Sequence, residues 1–158
     1  MSVDSMNPTR EEGLQTLERF LPHAGTSYAQ GRNIVPGCVS GLSPYVRHRL
    51  ITEAEIVEAV LKHHSQKEAE KFIQEICWRT YWKAWLEMRP SVWSEYLEAL
   101  QTLRVQMQED PDLNDRVQKA ERGMTGIGCL DAWANEVRQT GYLHNHVRMW
   151  FASIWVHT

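Results

Sequence analysis

No apolar run in this 158-residue sequence approaches membrane-spanning length, and its start, Met1-Ser2-Val3-Asp4, lacks a basic segment followed by an apolar one. Neither a membrane span nor an export signal is expected, and a cytoplasmic location follows as the default. Positive charge is in deficit: 17 Lys and Arg stand against 20 Asp and Glu, a net charge of -3. This excludes a grip on nucleic acid by bulk charge, so any DNA contact must come from a local basic patch. Cysteine is scarce. Cys38, Cys77 and Cys129 are odd in number, far apart, and without a C-x-x-C or a histidine at metal-ligand spacing, which predicts reduced, mostly buried thiols and no metal site. No period-two alternation bounded by turn residues occurs, which argues against a sheet. Internal repeats and low-complexity runs are absent too.

What remains is helical patterning. An apolar content of 42% suits one domain with its own core, placed over 9–158 after a flexible stretch over 1–8. Pro8 opens a helix with Leu14, Leu17, Phe20 and Leu21 on one face, ended by Pro22 and Gly25. Gly31 to Ser43 reads as loop. Thr52, with Glu55 three residues on, caps a helix carrying Ile56, Val57, Val60 and Leu61. Ser65 caps the next, to Met88, and Ser91 starts one to about Met107. Asp110-Pro111 and Gly123 mark a loop, or a short helix around Leu113 to Ala120. Two further helices cover about 127–139 and 143–157, broken at Thr140-Gly141. The expected fold is all-α, a bundle of about seven helices.

Within the helix ending at Met88, Glu75, Trp78, Arg79 and Trp82 recur at spacings of three and four and share a stripe. On spacing alone this is an amphipathic helix with a Trp-rich core stripe and a Glu–Arg pair at its edge. In the last helix Asn145 and Met149 stand four apart with Arg148 beside them, gathering an amide, a thioether and a guanidinium. Val39 to Ser43 carries Gly41 and two hydroxyls before Pro44: an ordinary serine cap, or a cradle for phosphate. Core packing is the better account of most of the seven tryptophans. The segment from Met149 to Val156 is apolar nearly all round and calls for a covering partner, a second chain or another copy of this one.

Several ordered segments carry a family resemblance. Thr125-Gly126 leads to Asp131-Ala132, and Thr140-Gly141 leads to His144-Asn145 and Arg148-Met149. Upstream stand Tyr28, Arg32-Asn33, Val39 to Arg47, and Phe72 to Tyr81 with its Glu75, Trp78 and Arg79. In this order they resemble the flavin pocket of the DNA photolyase/cryptochrome family, with Gly128 in place of the usual proline, Tyr142 of tryptophan and His146 of arginine.

The resemblance implies FAD as cofactor, held by Tyr28, Ser40, Gly41, Leu42, Ser43, Phe72, Arg79 and Arg148, and damaged DNA as partner, met by Glu75, Trp78, Asn145 and Met149. Relatives that repair six-four photoproducts carry histidines at two lesion positions, where this chain has Asn145 and Met149; light-driven repair of cyclobutane pyrimidine dimers is therefore the implied activity. It further implies the first half of the flavin domain, without an antenna domain or second half. The isolated chain is then expected to be inactive and to bind FAD weakly or not at all. A helical interaction or flavin-sensing module without catalysis is the alternative.

Overall fold

The computed structural model describes residues 7–34 and 37–157. Of the leading segment 1–8, residues 1–6 lie outside the described residues, as do Val35 and Pro36 of the loop expected from Gly31 to Ser43. Nine α-helices and one 3-10 turn occur among the described residues, with no strand. The fold is all-α. The backbone forms two compact units, Asn7–Met88 and the stretch from Arg89 onward.

In the first unit, α1 (Arg10–Phe20) starts where the Thr9 hydroxyl accepts the Glu12 N–H, and a 3-10 turn, Leu21–His23, follows it. Two short helices come next, α2 (Thr26–Gly31) and α3 (Ser43–Arg47). Thr52 and Glu55 form a complete capping box at the start of α4 (Glu53–His63), and Ser65 and Glu68 form another at α5 (Gln66–Glu87). Each box satisfies N–H groups that a helix start leaves unpaired. Leu17, Phe20, Ile56, Val60, Ala69 and Phe72 are buried, from α1, α4 and the first half of α5. Filling that core with one large apolar side chain stabilises by about 1.5–3 kcal/mol. The second half of α5 buries nothing fully.

The second unit holds α6 (Pro90–Glu109), α7 (Pro111–Arg122), α8 (Gly128–Thr140) and α9 (Asn145–His157). Helix α7 is longer than the sequence suggests. The Asp110 carboxylate accepts the N–H groups of Asp112 and Leu113, Pro111 takes the first turn, and Gly123 ends the helix in the left-handed conformation at φ 67°. The buried apolar residues of this unit are Leu130, Ala134 and Leu143. No described residue of α6, α7 or α9 is buried.

Two expectations are corrected. None of the seven tryptophans belongs to the buried core, and five of them are exposed. The three cysteines are free, as expected, but none is buried: Cys77 and Cys129 are exposed and Cys38 is intermediate. Periodicity shows which residues share a face; it does not show what covers that face.

Candidate functional site

The first unit carries an aromatic cluster at the base of α5. Phe72 packs on Phe20 with ring centroids 4.9 Å apart, and the Tyr28 ring stands edge-on to Phe72 at 5.0 Å and to Phe20 at 6.0 Å. Such edge and tilted geometries suit the charge distribution of aromatic rings. The Arg32 guanidinium lies 5.9 Å from the centre of the Tyr28 ring and its Nη1 donates to Glu75 Oε1. Burial pushes the Tyr28 phenol above its ordinary value, and the Glu75 carboxylate adds to the effect. The hydrogen bond to Glu75 raises the pKa of Arg32.

One turn further along α5 the surface changes from ionic to aromatic. Trp78 and Trp82, four residues apart, stack at 6.3 Å with an interplanar angle of 26°; Tyr81 stands edge-on to both, and Trp85 to Trp82. Trp78 is 50% exposed, so about half of the indole surface is open. Arg79 Nε lies 3.6 Å from Glu53 Oε1, whose carboxylate also accepts from Arg49. Glu75, Trp78 and Arg79 thus share the stripe that the spacing requires, but the Trp stripe is a surface and not a core, and the arginine partnering Glu75 is Arg32 rather than Arg79.

The Ser40 to Ser43 segment leads into α3. Ser40 Oγ accepts the Leu42 N–H at 3.3 Å, and Gly41 adopts φ 67° with nothing within 4 Å of where a Cβ would stand. Glycine tolerates that conformation at no steric cost. Ser43 is exposed, so its hydroxyl faces outward, whereas Leu42 is only 1% exposed. With only five residues, α3 has few aligned peptide dipoles, which weakens the helix-start argument for phosphate. The side chains of Leu42 and Phe72 are both core, so each supports the neighbouring surface from beneath.

In the second unit the motif residues build local structure. Asp131 Oδ1 accepts from the Thr125 N–H at 2.8 Å and the Thr125 hydroxyl at 2.7 Å, and Oδ2 accepts from the Gly126 N–H at 3.0 Å. Those bonds, the Thr125 hydroxyl foremost, hold the Asp131 carboxyl below its ordinary value. Gly141, at φ 65°, ends α8, and Thr140 Oγ1 donates to the Glu136 carbonyl while accepting the Tyr142 N–H. His144 is buried; its Nδ1 accepts the His146 N–H at 3.2 Å, and its Nε2 has no partner among the described residues. Arg148 Nε donates to the Leu143 carbonyl at 2.8 Å, and its guanidinium lies 5.4 Å from the centre of the Tyr142 ring. Asn145 and Met149 are exposed one turn apart on α9.

Concave surfaces of both units lie elsewhere, and one in the first unit is lined by Val57, Ile76, Cys77 and Tyr81. A cavity of about 350 Å³ in the second unit is lined by Leu113, Val117, Met124 and Trp155 among others, and by none of Asn145, Arg148 or Met149. Among the described residues no group of three metal-ligating side chains occurs, and no helix is long and apolar enough to cross a membrane. The Arg32–Glu75 pair escapes sequence reasoning because 43 residues separate its members.

Residues 72–158 match the model of the family described as the FAD binding domain of DNA photolyase. The chain is 26% identical over 145 residues to a deoxyribodipyrimidine photo-lyase of Streptomyces griseus, covering 90% of this chain and 30% of that protein. It is 28% identical over 158 residues to one from Agrobacterium fabrum, covering 95% and 31%. A solved bacterial class III photolyase from Agrobacterium tumefaciens is similar at a TM-score of 0.75 and 25% identity, over 97% of this chain and 32% of that one. The chain spans about a third of the length of these relatives. The matched segment takes in most of α5 and all of α6 to α9, with Glu75, Trp78, Arg79, Asn145, Arg148 and Met149, while Tyr28 and Ser40 to Ser43 lie upstream of it. On that match, the chain belongs to the family of the DNA photolyase FAD-binding domain.

Proposed function

We propose that this chain contributes flavin-holding and lesion-recognising residues to light-driven repair of cyclobutane pyrimidine dimers in DNA. The observation that carries the reading is the outer face of α5, where a carboxylate and a half-open indole stand one turn apart in a segment matched to the family. Trp78 offers a flat apolar platform to an unstacked base, and stacking of that kind is worth about 1–3 kcal/mol per base. Glu75 offers a carboxylate oxygen to a base N–H, since an ionised carboxylate only accepts. On the second unit, Asn145 presents both a donor and an acceptor, and Met149 an adaptable apolar surface, to the same class of ligand. Enzymes that do chemistry on a base inside a duplex, photolyases among them, first take it out of the stack, and an exposed aromatic face with polar groups beside it suits a base so extruded.

The residues for FAD fit the group on chemical grounds. In the first unit Gly41 leaves open space beside the backbone, Ser43 exposes a hydroxyl and Tyr28 supplies a phenol; the second unit by itself supplies the Arg148 guanidinium. When bound, FAD would supply the light-driven electron donation on which dimer splitting depends. The task of this chain is to bind, to orient and to keep the lesion against an aromatic surface. Repair is tested by joining this chain to the remaining part of the flavin domain of a relative and illuminating the completed protein with an oligonucleotide holding one thymine dimer. Flavin absorbance with light-dependent loss of the dimer supports the enzyme, flavin absorbance without it supports a sensing module, and the absence of both from the completed protein overturns the reading.

A further inference from the structure

We infer that Arg32 is a positioning residue for Glu75, fixing that carboxylate so that one oxygen is presented to a base N–H. The inference rests on the lesion-binding role proposed for Glu75. A glutamate on a helix face has three side-chain torsions and, left alone, samples many orientations. Here Oε1 is held by Arg32 Nη1, and no partner occurs for Oε2 among the described residues. The arginine is itself braced against Tyr28, whose ring stands edge-on to both Phe20 and Phe72. A planar guanidinium can hold a carboxylate with one edge while its face rests on an aromatic ring, which an ammonium cannot reproduce. A continuous path therefore runs from the buried cluster of the first unit to one oriented acceptor oxygen. The side chains of Arg32 and Glu75 are 29% and 39% exposed, so the pair is partly sheltered yet reachable by a ligand.

Selectivity follows from geometry. A fixed acceptor favours a ligand that places a donor N–H at one point, as an extruded pyrimidine does, over a phosphate backbone that carries no donor. The test measures dark binding of a dimer-containing and an undamaged oligonucleotide at fixed salt, and takes the ratio of affinities. Glu75→Ala is expected to lower that ratio about tenfold, as for loss of a charge-assisted hydrogen bond. Arg32→Ala should lower it by a similar factor, and the double variant no further than either single one, because both act through one carboxylate. Arg32→Lys should recover part of the ratio.

If Arg32→Ala weakens both oligonucleotides equally while the ratio stays high, Arg32 contacts phosphate directly and the inference is wrong. An unchanged ratio in Glu75→Ala would overturn the lesion role of Glu75, and this inference with it. Should Arg32→Ala unfold α2, Arg32→Lys decides: a simple phosphate contact keeps its ratio intact in that variant, whereas a loosened Glu75 does not.

Discussion

Phe72 and Trp78 lie two turns apart on α5, and the structure assigns one to the fold and the other to the surface. Phe72 is 3% exposed and touches two aromatic rings; Trp78 is 50% exposed and stacks on Trp82. Removing Phe72 leaves a cavity beside Phe20 and Tyr28, and Phe→Ala changes of this kind destabilise by about 3–5 kcal/mol. For a unit of this size each kcal/mol lowers the melting temperature by about 4–8 °C, so Phe72→Ala should fall by roughly 12 °C or more. Trp78→Ala loses a stacked contact with Trp82 and an edge-on contact with Tyr81, both half-open, and should cost about 1–2 kcal/mol. Binding of dimer-containing DNA should reverse the order among folded protein, with Trp78→Ala losing about 1–3 kcal/mol. Urea titrations followed by circular dichroism, paired with binding measured well below each midpoint, separate the two effects. A Phe72→Ala loss under about 1 kcal/mol, or a Trp78→Ala loss as large as that of Phe72→Ala, would refute the division of α5 into a core half and a working half.

The remaining expectations concern caps, charge and thiols. Gly128 opens α8 with nothing within 4 Å of a Cβ position and follows an extended Ile127 (φ -91°, ψ 98°), so Gly128→Pro should raise the denaturation free energy by about 0.4–1 kcal/mol. Gly123→Ala should act the other way, because at φ 67° its Cβ would meet the Asp131 carbonyl oxygen at 2.7 Å; a raised urea midpoint would contradict this. Glu55 bonds to Arg10 and Thr52, which lowers its carboxyl from 4.5 to about 2. A depressed pKa contributes stability that is full above the unfolded value and is lost as pH falls through the folded one, so Glu55→Gln should flatten the pH dependence of stability between about 4.5 and 2. Thiol-reactive reagents should label Cys77 and Cys129 quickly in the native protein and Cys38 slowly, since burial raises the Cys38 thiol; equal rates would refute the difference in exposure.

Much of the helix plan is legible in the sequence because caps are local. Thr52 with Glu55, and Ser65 with Glu68, are complete boxes within four residues, and the structure builds both. Helix α7 shows how the same signals can leave two readings open. Asp110, Pro111 and Gly123 are turn-forming residues that leave a loop and a short helix around Leu113 to Ala120 both open; the structure builds the helix and lengthens it, because at the two ends of an amphipathic stretch they are an N-cap, a first-turn proline and a left-handed C-cap. The tryptophans fail for a different reason. Their spacing puts Trp78 and Trp82 on one face, but only tertiary structure decides whether a face is covered. Likewise the family motif contains both Glu75 and Arg32, but no local rule pairs them, since Arg32 sits at the end of another helix.

Arg148 shows what such a framework does before any ligand arrives. Its Nε is tied to the Leu143 carbonyl, its guanidinium lies over Tyr142, and the corner beneath it is set by Thr140, Gly141 and His144. Immobilising a long side chain on binding ordinarily costs about 0.5–1.5 kcal/mol. Here the protein meets that entropy loss when it folds, so an anion reaching the terminal nitrogens encounters a guanidinium already at rest. Any affinity for an anion at this corner would then be governed by charge and desolvation more than by the ordering of the side chain.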